Sequence, residues 1–180
     1  MKKIINLVIA VAISMLFSFS ANAQIKLGLN GGIQVPTEDG AKTGFGGGIN
    51  GEYLVTPNIG VGLNAGYYSF GKEEAYGIST NSYLIPVTLT GKYYFLTESI
   101  QPYGGVDVGF YTIGAKAKYQ GISESASDSY FGFAPVVGLQ FKLSDALALD
   151  INAKYNLIFS EGESTSIVGF NIGIVYTFGK

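Results

Sequence analysis

Cysteine, histidine, tryptophan and arginine are all absent from this 180-residue chain, and charged residues make up only 13% of it. Without cysteine there is no disulfide framework and no thiolate metal site; without histidine, the commonest metal ligand and general base is gone too. Long apolar runs are missing after the first two dozen residues: no later stretch approaches the ~20 consecutive apolar residues of a spanning helix. If the mature chain sits in a membrane, it cannot cross as helices. Helices are disfavoured in general, because 26 glycines are spread through the apolar segments and no i, i+3, i+4 stripe persists.

What is present begins with Met1-Lys2-Lys3, a positive n-region, followed by an apolar h-region over residues 7–19 and the small-x-small triplet Ala21-Asn22-Ala23. These predict a secretory signal peptide over residues 1–23, removed after Ala23, and a mature domain over residues 24–180 that opens at Gln24. The alternative is an uncleaved anchor, for which the apolar run is short.

Beyond residue 24 the hydrophobic period is two. Eight alternating segments are predicted as strands: 25–35, 44–54, 59–70, 82–95, 102–115, 130–143, 146–158 and 167–178. Each is about ten residues or more, the length a tilted strand needs to cross a bilayer. The connections alternate as well. Those at 71–81 and 116–129 read as long polar loops, whereas Val55-Thr56-Pro57-Asn58 and Ser144-Asp145 are tight turns and 96–101 is only slightly longer. Short turns on one side and long loops on the other predict an all-β fold, an eight-stranded antiparallel up-and-down transmembrane β-barrel with both termini on the periplasmic side.

The two strand faces decide the orientation. One parity carries Leu27, Ile49, Leu63, Val87, Leu89, Val108, Val137, Leu149, Ile172 and their neighbours, with no charge anywhere on it. The other carries Lys26, Glu52, Lys92, Asp107, Lys142, Asp150 and Lys154, interleaved with asparagine and glycine. A charge on a lipid face near the midplane costs ~2–4 kcal/mol, so the charge-free parity is expected outside and the ionic parity inside. A soluble ligand-carrying barrel would invert this, but the narrow interior of eight strands would struggle to hold so many bulky side chains. Aromatic residues of the apolar parity fall near strand ends, with Tyr53, Tyr93, Phe95, Phe141, Tyr176 and Phe178 towards the periplasm and Phe45, Tyr67, Tyr83, Phe131 and Tyr155 towards the outside. They predict two interfacial girdles around an aliphatic band. Pro86 and Pro135 fall inside strands of a closed sheet, where each removes a ladder hydrogen bond, so bulges or local fraying are expected near the outer rim.

Particular stretches carry a resemblance. Tyr83-Leu84-Ile85-Pro86 followed by Gly91-Lys92-Tyr93-Tyr94-Phe95 resembles the fourth strand of the outer-membrane β-barrel domain family of small, porin-like, eight-stranded proteins, and Pro102-Tyr103-Gly104-Gly105 resembles the start of its fifth. The ending Val175-Tyr176-Thr177-Phe178 is similar to the aromatic-terminated last strand that the barrel-assembly machinery reads, although Gly179 and Lys180 follow the phenylalanine. The resemblance spans the mature chain and implies a fold more than an activity.

Candidate chemistry is sparse. Gly46-Gly47-Gly48-Ile49-Asn50-Gly51 has G-x-G-x-x-G spacing, and Gly60-Val61-Gly62-Leu63-Asn64-Ala65 has its alanine variant, but neither opens a helix as a dinucleotide site requires. The inward charges, four lysines against three acids, nearly cancel and predict a hydrogen-bonded lumen ladder; a gated narrow conduit through it is the alternative. Outer connections are acidic, with Glu38, Asp39, Glu73, Glu74, Glu124, Asp128, Glu161 and Glu163 against Lys42, Lys72, Lys116 and Lys118. Solvated loops are the default there, and divalent cations or a surface partner the sharper options. Serines crowd residues 123–129 without a base to activate them. The expectation is a non-enzymatic integral outer-membrane protein serving envelope structure or surface interaction, with at most a narrow pore. A small-solute channel and a soluble periplasmic barrel for an apolar ligand are the alternatives. Outer-membrane lipid and the barrel-assembly machinery are the expected partners, with no cofactor, metal or nucleic acid.

Overall fold

The structure, a computed structural model, describes residues 24–38, 40–75, 78–119, 122–160 and 163–179. The signal-peptide expectation, and those for Asp39 and Glu161, lie outside these residues. Eight strands follow in chain order: β1 (Gln24–Pro36), β2 (Gly44–Thr56), β3 (Ile59–Ala75), β4 (Ile78–Tyr94), β5 (Ile100–Tyr119), β6 (Ile122–Lys142), β7 (Leu147–Ser160) and β8 (Glu163–Phe178). Each pairs antiparallel with its sequence neighbours, and β1 pairs with β8 to close the barrel. Closure removes the unpaired sheet edges over the height that all eight strands share.

Alternation of side chains across the pleat now has a direction. Leu63 is 59% exposed on the outer wall, and Val87, Leu89, Phe110, Val137 and Ile172 share that outer face, whereas Lys26, Glu52, Asp107 and Asp150 are buried within. A ligand-carrying soluble barrel needs the reverse arrangement. The register explains how larger groups fit inside so narrow a tube. Inward Tyr103 pairs with Gly138 and inward Tyr68 with Gly46, so the strand beside each ring contributes no side chain. A Cβ added at Gly138 would meet the Tyr103 ring, with Cε1 at 2.7 Å.

One expectation is corrected. Segments 71–81 and 116–129 are not loops over most of their length; they are the tops of β3, β4, β5 and β6, running as hairpins beyond the shorter strands. Pairs such as Lys116↔Ser125 and Ala117↔Glu124 keep the ladder going. Over residues 124–129 polar residues occupy both faces, so the hydrophobic alternation stops while the backbone pairing does not. Of the bulges or local fraying expected at the prolines, the structure shows the fraying. The β3–β4 ladder lacks pairs between Ala65↔Val87 and Tyr68↔Leu84 beside Pro86, and the β6–β7 ladder lacks them between Phe133↔Leu157 and Val136↔Lys154 beside Pro135, but the register is the same on either side of each gap. The bulges fall elsewhere, at Leu54/Thr56 and at Phe70/Glu73.

Candidate functional site in the barrel lumen

Inside the barrel the side chains form three layers. The layer nearest the periplasmic turns is built on β1, β2, β4, β5, β6 and β7. Glu52 accepts a hydrogen bond from Lys92 Nζ at 2.8 Å and another from the Tyr94 hydroxyl at 2.7 Å. Lys26 Nζ lies 4.2 Å from the centroid of the Tyr94 ring and donates to Gln140 Oε1 at 3.0 Å. Gln140 in turn donates to Asp150 Oδ2 at 2.9 Å, and Asp150 also accepts from the Tyr103 hydroxyl and from Asn152 Nδ2. Lys92 Nζ stands 4.9 Å from the Tyr103 ring. Both carboxylates of this layer, Glu52 and Asp150, thus have a cation or amide and a phenol, the combination that makes an ion tolerable away from water.

Mid-barrel, Lys154 Nζ pairs with Asp107 Oδ2 at 2.5 Å. Among the described residues Asp107 Oδ1 has no partner, nor does the hydroxyl of Thr90, the residue directly opposite Asp107 across the β4–β5 ladder. Beside them lies a cavity of about 50 Å³, lined in part by Asn30, Asn50, Asn64, Thr88, Asp107 and Lys154. That is room for a few waters.

Towards the outside the lumen becomes apolar. Tyr68, Leu84, Tyr111, Ile158 and Ile167 form a buried cluster, with Phe70, Ile113 and Tyr130 packed against it. The two phenol hydroxyls of this plug are satisfied from below, Tyr68 donating to Asn171 Oδ1 at 2.9 Å and Tyr111 to Asn156 Oδ1 at 3.3 Å.

Of the seven ionic residues anticipated for the lumen, the structure brings Lys26, Glu52, Lys92, Asp107, Asp150 and Lys154 together and leaves out Lys142. That side chain is exposed at the periplasmic rim, where its Nζ donates to the Thr97 carbonyl at 2.7 Å. Its strand end is too near the turn for the chain to reach inward. The enclosed charges are therefore three of each sign. Sequence reasoning missed the inward aromatic and aliphatic residues, above all Tyr94, Tyr103, Tyr68 and Tyr111. Their signal was available in principle: a tyrosine on the polar parity, aligned with a glycine on the next strand.

On the outside, Phe45, Tyr67, Tyr93, Phe95, Phe131, Tyr155, Tyr176 and Phe178 are exposed, and Tyr53 and Phe141 are half-buried. Tyr83 departs from this pattern. It lies flat over Gly114, stacks on Tyr67 with centroids 5.8 Å apart and is covered by Lys116, so it is almost buried although its parity is outward. Both glycine motifs sit within strands, β2 and β3, where no helix N-terminus meets them. Among the described residues no group of acids is placed to hold a metal ion.

Comparison with known proteins settles the class. Residues 8–178 match the family model described as outer membrane protein beta-barrel domain. The chain belongs to this family. Its place is accordingly the bacterial outer membrane. A Haemophilus influenzae protein described only as uncharacterised is 35% identical over 92 residues, a match that covers 50% of this chain and 50% of that protein, so the chain spans about half the length of the curated relative it matches. Among solved structures, Neisserial surface protein A superposes with a TM-score of 0.63 at 16% identity, covering 87% of this chain and 97% of that one. The attachment invasion locus protein of Yersinia pestis superposes at 0.60 with 23% identity, covering 89% and 100%. At such identities the likeness is one of fold.

Proposed function

We propose that this outer-membrane barrel is a non-enzymatic envelope protein with a closed lumen, acting through its lipid-facing wall and its extracellular hairpins. The observation that carries the reading is the filling of the lumen by an ionic layer, a cavity of about 50 Å³ and a tyrosine-lined plug. Histidine is absent from the chain, which removes the usual base for a hydrolase or acyltransferase. The fold neighbours include proteins named for the surface and for attachment and invasion, which favours surface interaction over transport. Acyl chains of outer-membrane lipid are the natural contact for an outer wall of Leu, Ile and Val between aromatic belts. Val175-Tyr176-Thr177-Phe178 at the end of β8 supplies the aromatic ending that the barrel-assembly machinery would read. Export rests on the Lys2-Lys3 n-region, the apolar run behind it and cleavage after Ala23; mass spectrometry of protein purified from membranes should give a mature chain beginning at Gln24.

The test of the closed lumen is conductance. Protein refolded into planar bilayers should give no single-channel steps above a protein-free baseline, and the Lys154→Ala and Glu52→Ala variants should be equally silent while they stay folded. Regular steps from the unaltered protein would replace this reading with that of a channel.

A further inference from the structure

The hairpins that overtop the barrel leave an edge. β6 is paired with β5 over its whole upper part, from Tyr119↔Ile122 through Lys116↔Ser125 to Tyr111↔Tyr130. On its other side the ladder with β7 starts only at Phe131↔Phe159, and β7 turns into β8 at Ser160↔Glu163. Among the described residues, none pairs with the β7 side of residues 122–130. The backbone groups on that side form an open template, above the aromatic belt to which Phe131 belongs.

Its side chains are unusual for a strand that merely needs protecting. Edge strands are commonly blunted by lysine, proline or short length. Here Ser125, Ser127 and Ser129 occupy one face, and Glu124, Ala126 and Asp128 the other, and residues 124–129 are all exposed. Small side chains leave the main chain accessible. No cation sits across from the acids on β5, where Ala117 faces Glu124 and Ile113 faces Asp128; Lys116 is on the opposite face, its Nζ 5.3 Å from the centroid of the Tyr83 ring.

The pattern also selects against a second copy of the same chain. Ser-Glu-Ser-Ala-Ser-Asp-Ser is nearly symmetric about Ala126, so antiparallel pairing of two such edges in the register centred on Ala126 would set Glu124 against Asp128 of the other chain twice on one face. Like charges directly opposite are destabilising. A strand with lysine or arginine opposite both acids and a small residue between them meets two opposite-charge pairs instead.

We infer that the free edge of β6 over residues 122–130 is a docking site for an extended basic polypeptide, which adds to the sheet as an extra strand and presents cationic side chains at i and i+4 to Glu124 and Asp128. The mode is strand addition: main-chain hydrogen bonds supply the binding and the charged pairs the selection. It rests on the surface-interaction reading and names the chemistry of the partner.

The probe is the synthetic peptide Thr-Lys-Thr-Ala-Thr-Lys-Thr, titrated into the full-length protein folded in lipid nanodiscs, with heat-modifiable gel migration verifying the barrel. Its counterpart with glutamate in place of lysine and a fully N-methylated version are titrated alongside. The lysine peptide should bind at least roughly tenfold more tightly than the glutamate peptide at low salt, the N-methylated peptide should not bind, and Glu124→Lys with Asp128→Lys should invert the preference. Equal binding of the lysine peptide to the charge-reversed variant, retention of the N-methylated peptide, or no binding to a folded barrel would overturn the inference. None of these outcomes bears on the closed lumen, which the conductance measurement decides separately.

Discussion

Glu52→Ala removes the acceptor on which the periplasmic layer of the lumen converges. It leaves Lys92, whose side chain keeps only 9% of its accessible surface, without its carboxylate, and the Tyr94 hydroxyl without its acceptor. Taking one partner out of a buried ion pair costs ~3–5 kcal/mol, because the remaining charge is left uncompensated, while replacing both by apolar groups of similar size is close to neutral. The expected pattern is therefore a destabilisation of ~3–5 kcal/mol for Glu52→Ala, similar for Lys92→Met, and recovery in Glu52→Leu/Lys92→Met to within ~1–2 kcal/mol of the original, the remainder being the unpaired Tyr94 phenol. Urea unfolding from lipid vesicles would measure it, read by tyrosine fluorescence since the chain has no tryptophan, with gel migration as a second probe. The reasoning is refuted if either single variant stays within about 1 kcal/mol of the original, or if the double variant is as unstable as the singles added together.

Gly138→Ala should cost ~1–3 kcal/mol by displacing the Tyr103 ring that it would touch, whereas Gly91→Ala, with open space on the outer wall, should change stability by less than ~1 kcal/mol; the same urea titration separates them. Tyr68→Ala with Tyr111→Ala takes two rings out of the outer plug, at ~3–5 kcal/mol each for lost packing, and should bring conductance above baseline in planar bilayers; a silent, folded double variant would mean that the layers below close the lumen unaided.

The barrel was legible in the sequence because a half-buried strand writes its period into the chain and a two-sided solvent contrast amplifies it. Leu63, Val87 and Ile172 could be assigned to one face by counting in twos, and the tight turns at Thr56-Pro57-Asn58 and Ser144-Asp145 fixed where the strands reversed. The hairpin tops were not legible: residues 123–129 alternate serine with acids and alanine, and nothing in the pattern distinguishes a strand in water from a loop. Lumen residues divided in the same way. Lys26, Glu52, Lys92, Asp107, Asp150 and Lys154 announced themselves by charge, but Tyr94 and Tyr103, which satisfy Glu52 and Asp150, looked like more of the aromatic content of a membrane wall. Only the register, which brings Gly138 opposite Tyr103, reveals the space that a ring can enter. Lys142 shows the converse. Its parity was right, but its height at the rim, which depends on strand stagger, could not be read from a linear pattern.

The uncharged face meets lipid and the charged face is enclosed, an orientation that an arginine depth scan on β3 puts to the test. Leu63 lies on the outer wall midway between Ile59, which begins β3 beside the periplasmic turn and pairs with Tyr93 of the lower belt, and Tyr67 of the upper belt. Leu63→Arg should destabilise the refolded protein in vesicles by ~2–4 kcal/mol and Ile59→Arg by only ~0–1 kcal/mol, a profile set by bilayer depth. Costs below about 1 kcal/mol at both positions, as at an outer wall bathed in water, would contradict it.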